Sequence, residues 1–157
     1  MSALRIVSGG QTGVDRAALE WALANGVSHG GWCPKGRKAE DGIIPARFGL
    51  LETDSENYAI RTRRNVQEAD GTVIFSRHLL LTGGTKFTAD VAGEVAKPLL
   101  RLIPSIGIEE AAARLRTFLR EHDVRVLNVA GPRASEEPAL GTFVQAVLAR
   151  ALEFPRP

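Results

Sequence analysis

The chain has 157 residues, 44% of them apolar, enough for one folded domain with a sizeable core and too many for wholesale disorder. Its formal charge of +2 and pI near 9.0, with both signs interspersed and no basic tail, are too slight to call for a nucleic-acid partner. The single cysteine, Cys33, excludes an intramolecular disulfide and a thiolate-rich metal site. The opening residues lack the pattern of a signal peptide and no stretch is long enough to cross a bilayer. A cytoplasmic location with no membrane partner is therefore expected.

Leu4 to Ser8 is a short β-branched run that stops at Gly9-Gly10, and it predicts the first strand. From Val14 to about Ala24 the pattern turns helical, with Val14, Ala17, Ala18, Trp21 and Ala22 on one face, and Asn25-Gly26 closes it. A weaker strand is expected around His29 to Cys33. Pro34 to Asp54 then reads as a long irregular segment, of the kind that often carries function. Ser55 is placed as the cap of a helix running to about Ala69. Thr72 to Ser76 is the clearest central strand. Thr82-Gly83-Gly84-Thr85 opens a helix through Val95, Leu99 to Ile103 is a strand, and Ile108 to Glu121 is a helix with Ala111, Ala112, Leu115, Phe118 and Leu119 inward. Val124 to Val129 is a last strand, broken by Ala130-Gly131-Pro132, and Ala139 to Glu153 a last helix.

Strands alternating with helices predict one α/β domain over residues 1–157: about five parallel strands, with right-handed crossovers placing helices on both faces in three layers. In such a sheet every strand ends on the same edge. The loops at Gly9-Gly10, after Cys33, at Thr82 to Thr85 and at Gly131-Pro132-Arg133 are expected to meet there, where open α/β sheets bind ligands.

The first loop, Ser8-Gly9-Gly10-Gln11-Thr12-Gly13-Val14-Asp15, combines close backbone approach with free amides at a helix start, which suits a phosphate or oxoanion. It fits neither the P-loop nor the three-glycine dinucleotide pattern. Thr12 and Asp15 would also serve as a capping-box-like pair. The second loop, Thr82-Gly83-Gly84-Thr85-Lys86, repeats the arrangement. In the third, Arg133 suits a bidentate oxoanion contact, or Ser135 caps the next helix while Pro132 and Pro138 shape the turn. Lys35, Arg37, Lys38, Glu40 and Asp41 read by spacing alone as a solvated loop, and most of Arg61, Arg63 and Arg64 as solvent-facing. His29, His78 and His122 show no metal-ligand spacing, no nucleophile triad is legible, and Cys33 reads as buried packing.

Ser8 to Ala18, Gly31 to Gly42, Arg61-Thr62 with Asn65-Val66, Leu81 to Thr85 and Asn128 to Arg133 together resemble the putative molybdenum carrier family, in order along nearly the whole chain. The resemblance implies a Rossmann-like domain related to the lysine-decarboxylase-like and "lonely guy" nucleotide-binding proteins. It further implies a homo-oligomer that binds molybdenum cofactor, a phosphate-bearing pterin with a molybdenum oxo group, and stores or delivers it without catalysis. On that reading Gly9, Gly10, Gln11, Thr12 and Gly13 hold one anionic group, and Thr82, Gly83, Gly84 and Thr85 another. Lys35, Arg37 and Arg133 neutralise charge beside Gly131. The alternative is a hydrolase or transferase acting on a nucleotide or nucleotide-sugar through Asp15, Glu40, Asp41 or Asp90, or else a nucleotide-sensing module. The "lonely guy" phosphoribohydrolases carry a glutamate just after the loop threonine; here Thr85 is followed by Lys86, which weakens the hydrolase reading while leaving Asp90 close by.

Overall fold

The structure is a computed structural model describing residues 3–152. Five strands, β1 (Arg5–Val7), β2 (Ser28–Gly30), β3 (Gly71–Phe75), β4 (Leu99–Leu102) and β5 (Val126–Ala130), form one parallel sheet in the spatial order β2-β1-β5-β3-β4. Five helices cover it: α1 (Val14–Ala24), α2 (Tyr58–Glu68), α3 (Gly83–Glu94), α4 (Ile108–Glu121) and α5 (Leu140–Leu152). The steps from β1 to β2 and from β4 back to β5 run one way across the sheet; those from β2 to β3 and from β3 to β4 run the other. Right-handed crossovers send the two sets to opposite faces. Accordingly α1, α4 and α5 pack together, and α2 packs with α3. The fold is Rossmann-like, as expected.

Every residue of β3 is buried, which marks a strand covered on both sides. The face of α1 expected to turn inward does so, and Val144, Val147, Leu148 and Ala151 of α5 share its core. The chain leaves β1 in one direction and β3 in the other, with β5 inserted between them. The strand order therefore reverses at β1, β5 and β3, and a crevice opens beyond their carboxyl ends.

Several boundaries differ from expectation. The weak strand splits at Gly31: β2 joins the main sheet, while Trp32–Cys33 pairs in parallel with Leu51–Glu52. The helix after the long segment starts at Tyr58, because the Asn57 side chain accepts from Ala59 N; the Ser55 hydroxyl accepts from Asn57 N, too early in the chain to cap it. The last strand starts at Val126 and takes in Ala130. The last helix starts at Leu140, and Glu153 lies outside the described residues.

The long segment is not irregular. It holds a short 3-10 turn at Lys35–Arg37, and Lys38–Ala39 pairs antiparallel with Gly42–Ile43. Its apolar side chains Ala39, Ile44, Phe48 and Leu50 build a private core with Cys33 and with Leu19 of α1. Full burial of each larger one stabilises by about 1.5–3 kcal/mol, enough to fix the segment against the first loop. Arg37 closes it from within, donating to the carbonyls of Ile44 (3.0 Å), Pro45 (2.8 Å), Phe48 (2.7 Å) and Leu50 (3.2 Å).

Candidate functional site

At the crevice a cavity of about 190 Å³ is bounded by Gly9, Gln11 and Asp15 after β1, by Gly83 to Thr85 at the start of α3, and by Gly131 to Arg133 after β5. The fourth wall is the face of α2 that carries Tyr58, Arg61 and Asn65. The first and third loops touch directly. Gly13, at φ 82°, leaves no room for a side chain: a Cβ there would lie 2.6 Å from the carbonyl oxygen of Pro132.

The electrostatic centre of the cavity is a buried ion pair. Arg61 Nη1 donates to Asp15 Oδ2 at 3.2 Å, with Arg61 8% and Asp15 6% exposed. The guanidinium rests on the bare Cα of Gly9, where a Cβ would come within 1.6 Å of Nη1. Burial pushes the Asp15 carboxyl above its ordinary value, against the opposing pull of Arg61 and the Gln11 amide. Arg61 Nε has no hydrogen-bond partner among the described residues, and neither has Gln11 Nε2. Both belong to cavity-lining residues at least nine-tenths buried. Two buried donors without acceptors are costly unless something else supplies the acceptors.

Two further cations flank this pair. Arg61, Arg133 and Lys38 all lie against the Tyr58 ring, at 5.3, 5.5 and 4.7 Å from its centre. Arg133 also meets Glu136 at 3.3 Å, so the rim is not purely basic. Opposite them α3 begins without a side-chain cap on its first amides, leaving donors and the positive dipole end to face the cavity. Donors therefore predominate, and an anionic group is what they fit.

The residues expected to bind divide into those at the cavity and those used to assemble it. Gly9, Gln11, Gly83, Gly84, Thr85, Gly131 and Arg133 line it. Gly10 and Gly13 do not, being packed against Ile44 with Leu50 and against the third loop respectively. Thr12 accepts from Ala134 N at 3.1 Å and donates to Glu40. Thr82 lines a neighbouring cavity, and Lys35 is exposed on the 3-10 turn. Arg37 is committed to the four carbonyls of its own segment.

The first helix start is also more occupied than its glycines suggest. Gln11 N donates to Asp15 Oδ2, Thr12 N to Gln11 Oε1 and Val14 N to Pro132 O. Thr12 and Asp15 do not act as a reciprocal capping box, since the cap position of α1 is Gly13, which has no side chain to accept. Of the four candidate acids, only Asp15 lines the cavity. Glu40 clasps two loops: its carboxylate accepts from Ser135 Oγ at 2.6 Å, from Ser135 N and from Thr12, while its own amide donates to Gln11 Oε1. The bonds from Ser135 and then Thr12 hold its carboxyl below the ordinary range. Asp41 takes both Nη atoms of Arg16, which lowers its carboxyl likewise. Asp90 pairs with Lys86 at 2.8 Å on the exposed side of α3.

Spacing alone does not mark Tyr58, Arg61, Asn65 or Lys38 as site residues. Of the three arginines expected mostly to face solvent, Arg61 is the buried one, because Tyr58, Arg61 and Asn65 recur at intervals of three and four and share the face of α2 turned to the crevice. That polar stripe was the available signal.

A Rossmann-like sheet with a donor-lined crevice at its strand-order reversal defines the structural class of this chain. The chain belongs to the Circularly permutated YpsA SLOG family, whose profile matches residues 6–152. It is also similar to the crystal structure of a putative molybdenum carrier protein from Syntrophus aciditrophicus SB. The two share 40% identity over 96% of each chain, with a TM-score of 0.92. No curated protein matches it.

Proposed function

We propose that this chain binds molybdenum cofactor as cargo, through the cofactor's phosphate, and stores or delivers it. One observation carries the reading: Arg61 and Gln11 keep buried, unpartnered donors at a cavity already framed by Arg133 and the uncapped start of α3. A phosphate supplies several acceptor oxygens and the negative charge these groups fit. The likeness to a putative molybdenum carrier protein favours this cargo over other phosphate esters. The proposal includes a homo-oligomeric, cytoplasmic protein; no helix among the described residues is long and apolar enough to cross a membrane.

The test is an anaerobic titration of the protein with molybdenum cofactor. Saturable binding at micromolar protein is expected, weakened at least tenfold in Arg61→Met, the scale of one lost charge-assisted contact of about 1.5–3 kcal/mol. Absence of binding at that concentration overturns the carrier role.

A second reading, hydrolysis of a nucleotide, draws on Asp15, a buried carboxyl raised in a cavity with phosphate-binding character. Release of free base or ribose phosphate from nucleotides, lost in Asp15→Asn, would favour it over simple carriage.

A further inference from the structure

Beside the main cavity lies a second of about 310 Å³, and the two share Thr85, Pro132 and Glu136 as a common wall. Glu137 lines the second cavity and is only 6% exposed. Its carboxylate accepts from Arg77 N at 2.8 Å and from Ser76 Oγ at 3.4 Å. No cation pairs with it among the described residues, unlike buried Asp15 with Arg61. A carboxylate has about four acceptor positions, so roughly half of its capacity is unused. Leu80 and Leu81 add apolar walls to the same cavity.

The buried groups with unused hydrogen-bonding capacity thus differ between the adjoining cavities. Arg61 Nε, Gln11 Nε2 and Arg133 offer donors on one side of the wall; Glu137 offers acceptors on the other. A single ligand lying across the wall would meet donors at one end and acceptors at the other. We infer that Glu137 forms a subsite for a heterocycle with a 2-amino-4-oxopyrimidine edge, whose adjacent ring N–H and amino group match a carboxylate in a bidentate pair. Pterins and guanine share that edge. Hypoxanthine lacks its amino group, and adenine turns a ring acceptor toward the carboxylate. The inference rests on the proposed phosphate pocket and names what the other end of the ligand must be.

The experiment compares binding of GMP, IMP, a dihydroneopterin monophosphate and inorganic phosphate by calorimetry, in the parent protein and in Glu137→Gln. GMP is expected to bind at least about tenfold more tightly than IMP, the scale of one bidentate base contact. The pterin phosphate shares that advantage, and whichever of the two binds more tightly identifies the source of the edge. Gln keeps an oxygen for Arg77 N but replaces the other acceptor with a donor, so Glu137→Gln abolishes the GMP preference over IMP while inorganic phosphate binds as before. Equal affinity for GMP and IMP in the parent protein overturns the subsite and leaves the phosphate pocket standing, as does a preference that survives Glu137→Gln. Failure of every probe, phosphate included, overturns the pocket and the subsite together. If the variant does not fold, the parent GMP-to-IMP ratio decides alone.

Discussion

Replacing Gly9 with alanine adds one methyl group at the most crowded contact of the cavity. The new Cβ would lie 1.6 Å from Arg61 Nη1, 2.7 Å from Cζ and 3.1 Å from Cδ. Gly9 is not in the left-handed region, so the backbone itself tolerates alanine and the strain falls on the guanidinium. The guanidinium has to leave its seat, and Asp15 then stays buried without its cation. Removing one partner of a buried pair costs about 3–5 kcal/mol, and the lower end applies because Asp15 keeps the Gln11 amide. For a chain of this size about 3 kcal/mol lowers the melting temperature by about 6–12 °C. The pH dependence has a definite sign. The folded-state carboxyl of Asp15 already sits above its ordinary value of 3.8, so the folded protein takes up that proton more readily than the unfolded chain. Loss of Arg61 raises it further. The penalty of Gly9→Ala is therefore full at neutral pH and shrinks as the medium is acidified into the carboxylate range. Thermal melts across that range, with phosphate binding measured in parallel, test this. A Gly9→Ala protein that melts with its parent at neutral pH and binds phosphate equally well would show that Arg61 is not seated over Gly9. Adding Asp15→Asn to Gly9→Ala removes the stranded charge, and the double variant is expected to melt above Gly9→Ala alone.

Two further substitutions separate assembly from binding. Glu40→Gln loosens the clasp between the first and third loops. The Glu40 carboxyl is held below its ordinary value of 4.5, so its stabilising effect is complete above that value and lost as the pH falls through the depressed one; urea melts of Glu40→Gln should therefore show less acid sensitivity than the parent. Arg37→Met deprives four carbonyls of their donor, a loss of about 2–6 kcal/mol at about 0.5–1.5 kcal/mol per bond. Hydrogen exchange over residues 38–50 should quicken sharply in Arg37→Met. Loss of phosphate binding with that protection intact would instead place Arg37 on the ligand.

How much of the fold and the site was legible in the sequence depends on how local each cause is. The glycine turns after β1 and before α3, the inward face of α1 and the apolar run of β3 follow from spacing and backbone chemistry within a few residues. Parallel strands then oblige the loops after β1, β3 and β5 to open on one edge, so the crevice followed from topology. The end of the weak strand did not, because Trp32 and Cys33 pair with Leu51 and Glu52 across a segment whose turns carry no strong local signal.

Amino-acid order alone determined the α/β pattern, the five parallel strands and the edge where a ligand can lie. Only the tertiary structure decided which polar groups remain available there. Arg37 and Arg61 look alike as isolated arginines, yet one is consumed by the carbonyls of Ile44, Pro45, Phe48 and Leu50, and the other is buried beside Asp15 with its Nε unpaired. The physical reason is that a hydrogen-bonding group is free or spent according to the neighbours that reach it, and those neighbours come from elements far apart along the chain.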